Sequence, residues 1–222
     1  MDLFWVYKQL FARYGPQHWW PAETPFEVIV SAILTQSVNW QNVERAIENL
    51  KQHNALTSGR LYKLPEEELA ELIRPAGYFR QKAKKLKAFI NHLHLEHNGD
   101  LSRMLAQPMK KLRAELLSIW GIGPETADSI LLYAAQKPIF VVDAYTKRIF
   151  SRMGLVSSEI SYDELQRFCM AQLPKSVKLF NEYHALLVRH GKEVCRSKPC
   201  CLRCVLAREC QFWRRNSSAL GR

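Results

Sequence analysis

Four cysteines near the C-terminus are spaced Cys195-x5-Cys201-x2-Cys204-x5-Cys210, close enough for their thiolates to close around one metal centre. The usual four-cysteine zinc site has two Cys-x2-Cys pairs set apart by a longer stretch. Only one such pair is present here, which weighs against zinc. A second stretch with chemical potential runs from Lys110 to Asp143. It opens with Leu112, Leu116 and Ile119 on one helical face. Gly121 and Gly123 end that helix cheaply, as residues that tolerate positive φ, and Pro124 restarts it at a first helical position. The Gly121-Ile122-Gly123 loop thus presents backbone N–H groups at a helix N-terminus, where a phosphate binds. Ala127, Ile130, Leu131 and Ala134 give the second helix its apolar face. An extended run over 139–142 then delivers Asp143 to the start of another helix.

Holding such groups in place takes a sizeable core, and 222 residues allow one large domain or two small lobes. Lysine and arginine outnumber aspartate and glutamate by 32 to 21, a net charge of +11. That balance points to a polyanion and puts nucleic acid ahead of a merely soluble basic surface. The N-terminus, MDLFWVYKQLFARYG, carries Asp2 and Lys8 inside its apolar run and lacks a small-residue cleavage site. It reads as neither a signal peptide nor a membrane span. An intracellular protein without a membrane partner is expected, with its six cysteines free or metal-bound rather than disulfide-linked.

The positioning elements all read as helices, without a partnered strand, heptad or long repeat. Residues 3–14 place Leu3, Val6, Leu10 and Phe11 on one side, and a loop follows over 15–23. Thr24-Pro25-Phe26-Glu27 reads as a capping box with proline at the first helical position. It starts a helix with Phe26, Ile29, Ile33 and Leu34 inward, which stops near Gln36-Ser37. Asn39 caps the next, whose core face is Val43, Ala46, Ile47 and Leu50. The joint between them, 35–40, is polar around Trp40, and spacing alone fits an ordinary turn with a packed tryptophan as well as it fits a functional loop. Pro65 starts a helix that Pro75-Ala76-Gly77 ends. A basic helix follows to about residue 97, with Ala83, Leu86, Ile90 and Leu93 inward and most of its lysines on a solvated face. Asp100 caps a short helix. After Asp143 a helix ends at Gly154, and Ser161 to Glu164 forms a second capping box, with Leu165, Phe168 and Cys169 inward. A last long helix, from about 175 to 190, is stopped by Gly191. His184 and His190 read as structural, His190 suiting a last turn for dipole reasons.

Trp-Gly-Ile-Gly-Pro-Glu-Thr-Ala-Asp at 120–128, followed by Val-Val-Asp at 141–143, resembles the helix-hairpin-helix plus Gly/Pro-Asp motif of the endonuclease III superfamily of DNA glycosylases. That family places a [4Fe–4S] cluster on a C-x6-C-x2-C-x5-C pattern near its C-terminus, and this chain is one residue shorter in the first gap. The resemblance covers about Pro25 to Cys210. It implies an all-α, two-lobed fold: a six-helix lobe over 25–136 containing the hairpin, a cluster lobe of 1–24 plus 137–215, and a flexible tail, 216–222. It implies a monomer that binds double-stranded DNA containing a damaged base across a cleft between the lobes. Gly121, Ile122 and Gly123 would hold a phosphate, which gives position and not sequence, and the damaged nucleotide would leave the stack. Cys195, Cys201, Cys204 and Cys210 would hold the cluster. Cys200 could stand in for Cys201, although Cys201 keeps the two later spacings, and Cys169 has no ligand role. Arg196, Lys198, Arg203 and Arg208 around the cluster would touch phosphates.

The same resemblance assigns roles to single residues. Asp143 would be the catalytic carboxylate, stabilising the oxocarbenium character that builds on the sugar and directing water to C1′; the plain alternative is an N-cap, and both can hold at once. Gln36 would enter the duplex where the nucleotide has left. Trp40 is similar to the variant in alkylpurine glycosylases, and Tyr78 or Phe79 would line the damaged-base pocket. Glu125 stands where bifunctional relatives carry a nucleophilic lysine, and a glutamate forms no Schiff base. It would add a negative charge beside the damaged base in the pocket, the plain alternative being a favourable first-turn partner of the helix dipole. The expectation is a monofunctional glycosylase for alkylated purines. The alternatives are a glycosylase for oxidised pyrimidines or mispaired uracil or thymine, and a non-catalytic DNA-binding protein with the same fold.

Overall fold

The computed structural model describes the chain over residues 2–36 and 38–220, and of 217–220 the backbone alone. Ser37 of the polar joint and the last two residues of the expected tail lie outside the described residues. All regular structure among the described residues is helical, as the sequence predicts. None of their helices is long and apolar enough to cross a membrane. In chain order the helices are α1 (Leu3–Tyr14), α2 (Pro25–Leu34), α3 (Trp40–Gln52), α4 (Ser58–Lys63), α5 (Glu66–Leu72), α6 (Phe79–His97), α7 (Leu101–Leu105), α8 (Met109–Ser118) and α9 (Pro124–Ser129). They continue with α10 (Ala144–Met153), α11 (Tyr162–Gln172), α12 (Val177–Glu193) and α13 (Gln211–Leu220). Residues 20–137 form one compact unit, and 1–19 with 138–222 form the other.

In the 20–137 unit, α2 is the buried centre. Its residues from Phe26 to Leu34 are buried all round, as for a helix packed on every side. Thr24 Oγ1 accepts from Glu27 N (3.1 Å) and caps the helix. The expected reciprocal half of the capping box is not made. Glu27 instead accepts from Glu23 N at 3.2 Å and pairs with Lys51 at 3.1 Å, a charged partner being worth more to a buried carboxylate than another amide. The α6 lysines also depart from a solvated face. Lys82 is 2% exposed and donates to the carbonyls of Leu34 (2.8 Å) and Ala76 (2.7 Å). Burial, and then the charge of Lys85, lower its pKa to about 8. Lys87 donates to the Leu61, Tyr62 and Leu64 carbonyls, closing the end of α4. That helix has no counterpart in the sequence reading, because six residues are too few to display a period.

In the other unit α1 packs on α11 and α12, and α10 packs on α12 and α13. Leu3, Val6 and Leu10 are buried, and Tyr183 of α12 donates its hydroxyl to the Leu3 carbonyl (2.8 Å). Phe11, expected in the core, is 38% exposed and tilts against Tyr7. Gly191 does not stop α12, which continues to Glu193. A Cβ at Gly191 would lie 2.4 Å from Tyr145 Cδ1, so this glycine serves the close approach of α10 and not a helix end. Likewise α13 runs through Leu220, past the residue 216 at which a tail was expected, since no glycine or proline interrupts 211–220.

Candidate functional site

Asp143 is delivered by a buried run. Ile139, Phe140, Val141 and Val142 are each at most 4% exposed, and Gln166 of α11 donates to the Phe140 carbonyl at 2.8 Å. Asp143 then caps α10, its Oδ1 accepting from Thr146 N (2.7 Å) and Thr146 Oγ1 (2.8 Å). The second oxygen, Oδ2, lies 3.5 Å from His184 Nε2 of α12, and the two side chains are 8% and 7% exposed. Burial pushes the carboxyl pKa up, but His184 and the two Thr146 hydrogen bonds outweigh it and hold the group below the ordinary aspartate value. One oxygen serves the cap and the other the histidine, so capping does not consume the charge. His184, expected to be structural, has this role through a contact that no local pattern in the sequence marks.

The hairpin lies in the 20–137 unit: α8, the loop 119–123, then α9 running into a π-helical turn, Ile130–Ala134. Only one of the two glycines needs its backbone freedom. Gly121 has φ +86, and a Cβ there would meet the Lys85 side chain at 2.4 Å. Gly123 is extended, with φ −91 and ψ 177, contrary to the expected positive φ. It is exposed, and nothing lies within 4 Å of a Cβ placed on it, so the backbone is open to a close approach. Ile122 is buried and anchors the loop. No side chain caps α9, whose first turn carries the exposed Glu125. Arg113 of α8 grips Asp128 of α9 through Nε (2.7 Å) and a terminal nitrogen (3.1 Å). Asp128 is fully buried, so this two-pronged pair fixes one hairpin helix on the other.

Gln36 is tied to this hairpin. Its Nε2 donates to the Gly121 carbonyl (3.2 Å) and to Thr126 Oγ1 (3.0 Å), and Lys85 donates to its Oε1. Neither the Lys85 contact nor the bracing of the α2–α3 turn on the loop leaves a local signal in the sequence. Trp40 stands edge-on to Trp20, 5.3 Å between centroids, and donates Nε1 to Glu44 at 2.7 Å. Trp20 in turn lies 4.9 Å from Tyr133. Tyr78 has left-handed backbone, φ 45, and is 76% exposed. The guanidinium groups of Arg74 and Arg80 lie 5.5 and 5.2 Å from the ring centroid of Phe79. The described contacts of Trp40 and Phe79 are therefore with different neighbours.

Cys195, Cys201, Cys204 and Cys210 line one pocket, with Arg152, Val194, Pro199 and Phe212 around them, and Cys200 is not part of its lining. No disulfide links any of the six cysteines. Burial, followed by the proximity of Cys210 and Cys195, pushes the Cys201 thiol up, and burial pushes Cys204 up to about 12. Four converging thiols with an apolar surround fit a cationic metal centre, which removes the cost of bringing thiolates together. The fifth thiol, Cys200, instead accepts from Arg196 at 3.0 Å. Two arginines of α10 staple the loop: Arg148 donates to the Cys195 and Gly191 carbonyls, and Arg152 to those of Arg196 and Ser197. His190 bridges Tyr14 Oη (2.9 Å) and Cys204 Sγ (3.4 Å), and burial lowers its pKa to about 4. Arg196, Lys198, Arg203 and Arg208 are all exposed.

Residues 30–175 match the HhH-GPD superfamily of base excision DNA repair proteins, which covers the hairpin and Asp143 together. The chain belongs to that superfamily. It is a DNA repair glycosylase of the endonuclease III type, with the all-helical fold and DNA-binding character of that group. It is 48% identical over 210 residues to a protein of Methanocaldococcus jannaschii provisionally named as a DNA repair glycosylase, covering 94% of this chain and 95% of that one. Among solved structures it is similar to the H. pylori 3-methyladenine DNA glycosylase bound to 1,N6-ethenoadenine. That likeness has a TM-score of 0.77 and 28% identity, over 87% of this chain and 98% of the other. A trapped endonuclease III–DNA covalent intermediate has a TM-score of 0.84 over 97% of each chain, at 22% identity, a likeness of fold.

Proposed function

We propose that this glycosylase is monofunctional and releases an alkylated purine from duplex DNA by hydrolysis, leaving an abasic site and an intact strand. The observation that carries the reading is the state of Asp143 beside the identity of residue 125. Asp143 is a buried carboxylate held ionised by His184 and Thr146, and the hairpin position at which relatives would carry an amine is Glu125. Water forms the new bond to C1′ as the bond from C1′ to the base nitrogen breaks. The base leaves with the electron pair, and the water's proton passes to Asp143 or onward to solvent. Positive charge builds on the sugar, and a fixed carboxylate in a dry site stabilises it without reorganising. An N3- or N7-alkylated purine already carries positive charge and departs as a neutral base, so it needs little acid catalysis. The similarity to a 3-methyladenine glycosylase supports this substrate class.

Gly121, Ile122 and Gly123 would bind a phosphate through their backbone, which the open approach at Gly123 favours. Cys195, Cys201, Cys204 and Cys210 would hold a [4Fe–4S] cluster, which when bound cross-links the loop after α12 and presents Arg196, Lys198, Arg203 and Arg208 to DNA. One observation favours the second reading, a glycosylase for oxidised pyrimidines or mispaired uracil or thymine. Trp40 is engaged by Trp20 and Glu44, which weakens its claim to stack on a cationic purine. The deciding experiment is a panel of duplexes, each with one lesion, assayed for base release with and without alkali. Release of 3-methyladenine or 7-methylguanine, with strand cleavage only after alkali, supports the proposal. Cleavage without alkali, or a borohydride-trapped adduct, overturns the monofunctional assignment and points to another amine such as Lys147. Release of thymine glycol or mispaired uracil alone installs the second reading.

A further inference from the structure

The 20–137 unit contains a second cluster of ionisable side chains that neither the hairpin loop nor Asp143 uses. His92 and His97, both on α6, turn Nε2 toward one carboxylate, Glu115 of α8. The distances to Glu115 Oε1 are 2.8 Å from His92 and 2.5 Å from His97. One donor atom from each of the three residues lies within 4.8 Å of the other two. His97 is buried, and the side chains of His92 and Glu115 are 22% and 15% exposed. Gln107, just before α8, donates to Glu115 Oε2 and fixes the carboxylate from its far side. His94, the third histidine of this helix end, is turned elsewhere, stacked on Tyr62 at 4.0 Å.

Two imidazoles and one carboxylate are a donor set that zinc accepts, with a fourth position left to water. Magnesium and calcium prefer oxygen alone. We propose that His92, His97 and Glu115 form a binding site for a divalent cation of the zinc type, separate from the cysteine pocket. Bonds of about 2.0–2.1 Å in a tetrahedral site set neighbouring donors about 3.3 Å apart. To admit the ion the two nitrogens withdraw from Glu115 Oε1 by less than about 1 Å, and the widest donor separation, at most 4.8 Å, closes by up to about 1.5 Å. The hydrogen bond from Gln107 is an outer contact of the kind that orients a ligating carboxylate. One feature limits the affinity. His97 Nδ1 is buried without a hydrogen-bond partner, and coordination through Nε2 would move the ring proton to it. The site is accordingly weaker than a dedicated structural zinc site, where such a nitrogen donates to a partner. The ion would tie α6 to α8, the first helix of the hairpin, and would steady the loop that follows it.

The test uses the full chain without a histidine tag, stripped of loosely held metal and then titrated with zinc sulfate in a calorimeter. X-ray absorption at the zinc edge is recorded on the product, and bound iron is assayed in parallel. The expected result is one equivalent of zinc with nitrogen and oxygen ligands only, and an unfolding midpoint that rises with zinc concentration. His92→Ala should bind zinc more than about 100-fold more weakly, beyond the ~10–100-fold that loss of an outer contact costs. Magnesium should produce no shift. The proposal is overturned if the zinc spectrum is dominated by sulfur, or if His92→Ala binds as tightly as the parent. If His92→Ala does not fold, His92→Gln, which keeps a polar group at this partly buried position, decides by the same two readings.

Discussion

Asp143 Oδ2 and His184 Nε2 face each other at 3.5 Å across α10 and α12, each side chain less than a tenth exposed. The other oxygen, Oδ1, is spent on the α10 cap. This division of labour lets cap and charge be separated experimentally. Asn is as good an N-cap as Asp but carries no charge. Asp143→Asn should therefore slow base release by about 10²–10³-fold or more, the range for losing one electrostatic contact to a developing charge. DNA affinity should be nearly unchanged. Single-turnover kinetics on a lesion duplex, alongside a binding titration, check both halves, and a variant with ordinary turnover would remove Asp143 from the reaction.

The His184 contact makes a separate prediction about pH. Asp143 has a folded pKa below its ordinary 3.8. Its contribution to stability is then complete above about pH 4 and is lost as pH falls through the folded value. The rate should be level from neutral pH down to that region. In His184→Ala the burial of Asp143 loses its principal counterweight, so the pKa rises and the acid limb of the pH–rate profile moves to higher pH. A histidine that merely filled space would leave the limb where it was, while lowering the unfolding midpoint.

The helices and their caps were largely legible because their signals are local. Thr24-Pro25, Asn39, Asp100 and Ser161 each cap the helix that the sequence assigns to them. The hairpin was legible because two glycines and a proline punctuate it within four residues. What escaped was set by partners far along the chain. Asp143 and His184 are 41 positions apart, and Gln36 and Lys85 are 49 apart. No period or cap predicts either pair, which exist only because α10 packs on α12 and the α2–α3 turn meets α6. Two glycines depart from their expected roles for a related reason. Gly191 owes its identity to the close approach of Tyr145 and not to its own φ, and closeness is a tertiary property, while the extended backbone of Gly123 has no local signal.

The cysteine pocket lets the proposed ligands be tested against the other two cysteines. Cys204→Ser should lose the visible absorbance and bound iron expected of a [4Fe–4S] centre and destabilise the unit that contains α10 to α13. Cys200→Ser should retain both, since Cys200 faces Arg196 and lies outside the pocket lining. Cys169→Ser should also retain the iron, because this buried thiol sits on α11 with its pKa raised by desolvation alone. Iron analysis and absorbance of anaerobically purified protein provide the readout. Loss of iron in Cys200→Ser with retention in Cys201→Ser would exchange those two assignments, and stoichiometric zinc without colour in the parent would overturn the cluster.

The substrate assignment is tested at Trp40. A cationic methylated purine is attracted to an aromatic face by about 1–2 kcal/mol once water is removed, or roughly 5- to 30-fold in rate if the contact strengthens in the transition state. Trp40 in this structure stands edge-on to Trp20 and donates its indole N–H to Glu44. Two kinds of loss are then separable. Trp40→Phe keeps an aromatic face but abandons the hydrogen bond to Glu44, whereas Trp40→Ala loses both. If the ring contacts the base, Trp40→Ala should release 7-methylguanine from methylated DNA at least about 5-fold more slowly than the parent, and Trp40→Phe should recover most of the loss. If the residue only braces α3 against Trp20, both variants should melt earlier and neither should change the ratio of methylpurine release to uracil release. A parent enzyme that ignores methylated purines yet excises thymine glycol or mispaired uracil would transfer the stacking question to a neutral base, for which a ring at position 40 carries no cation–π advantage.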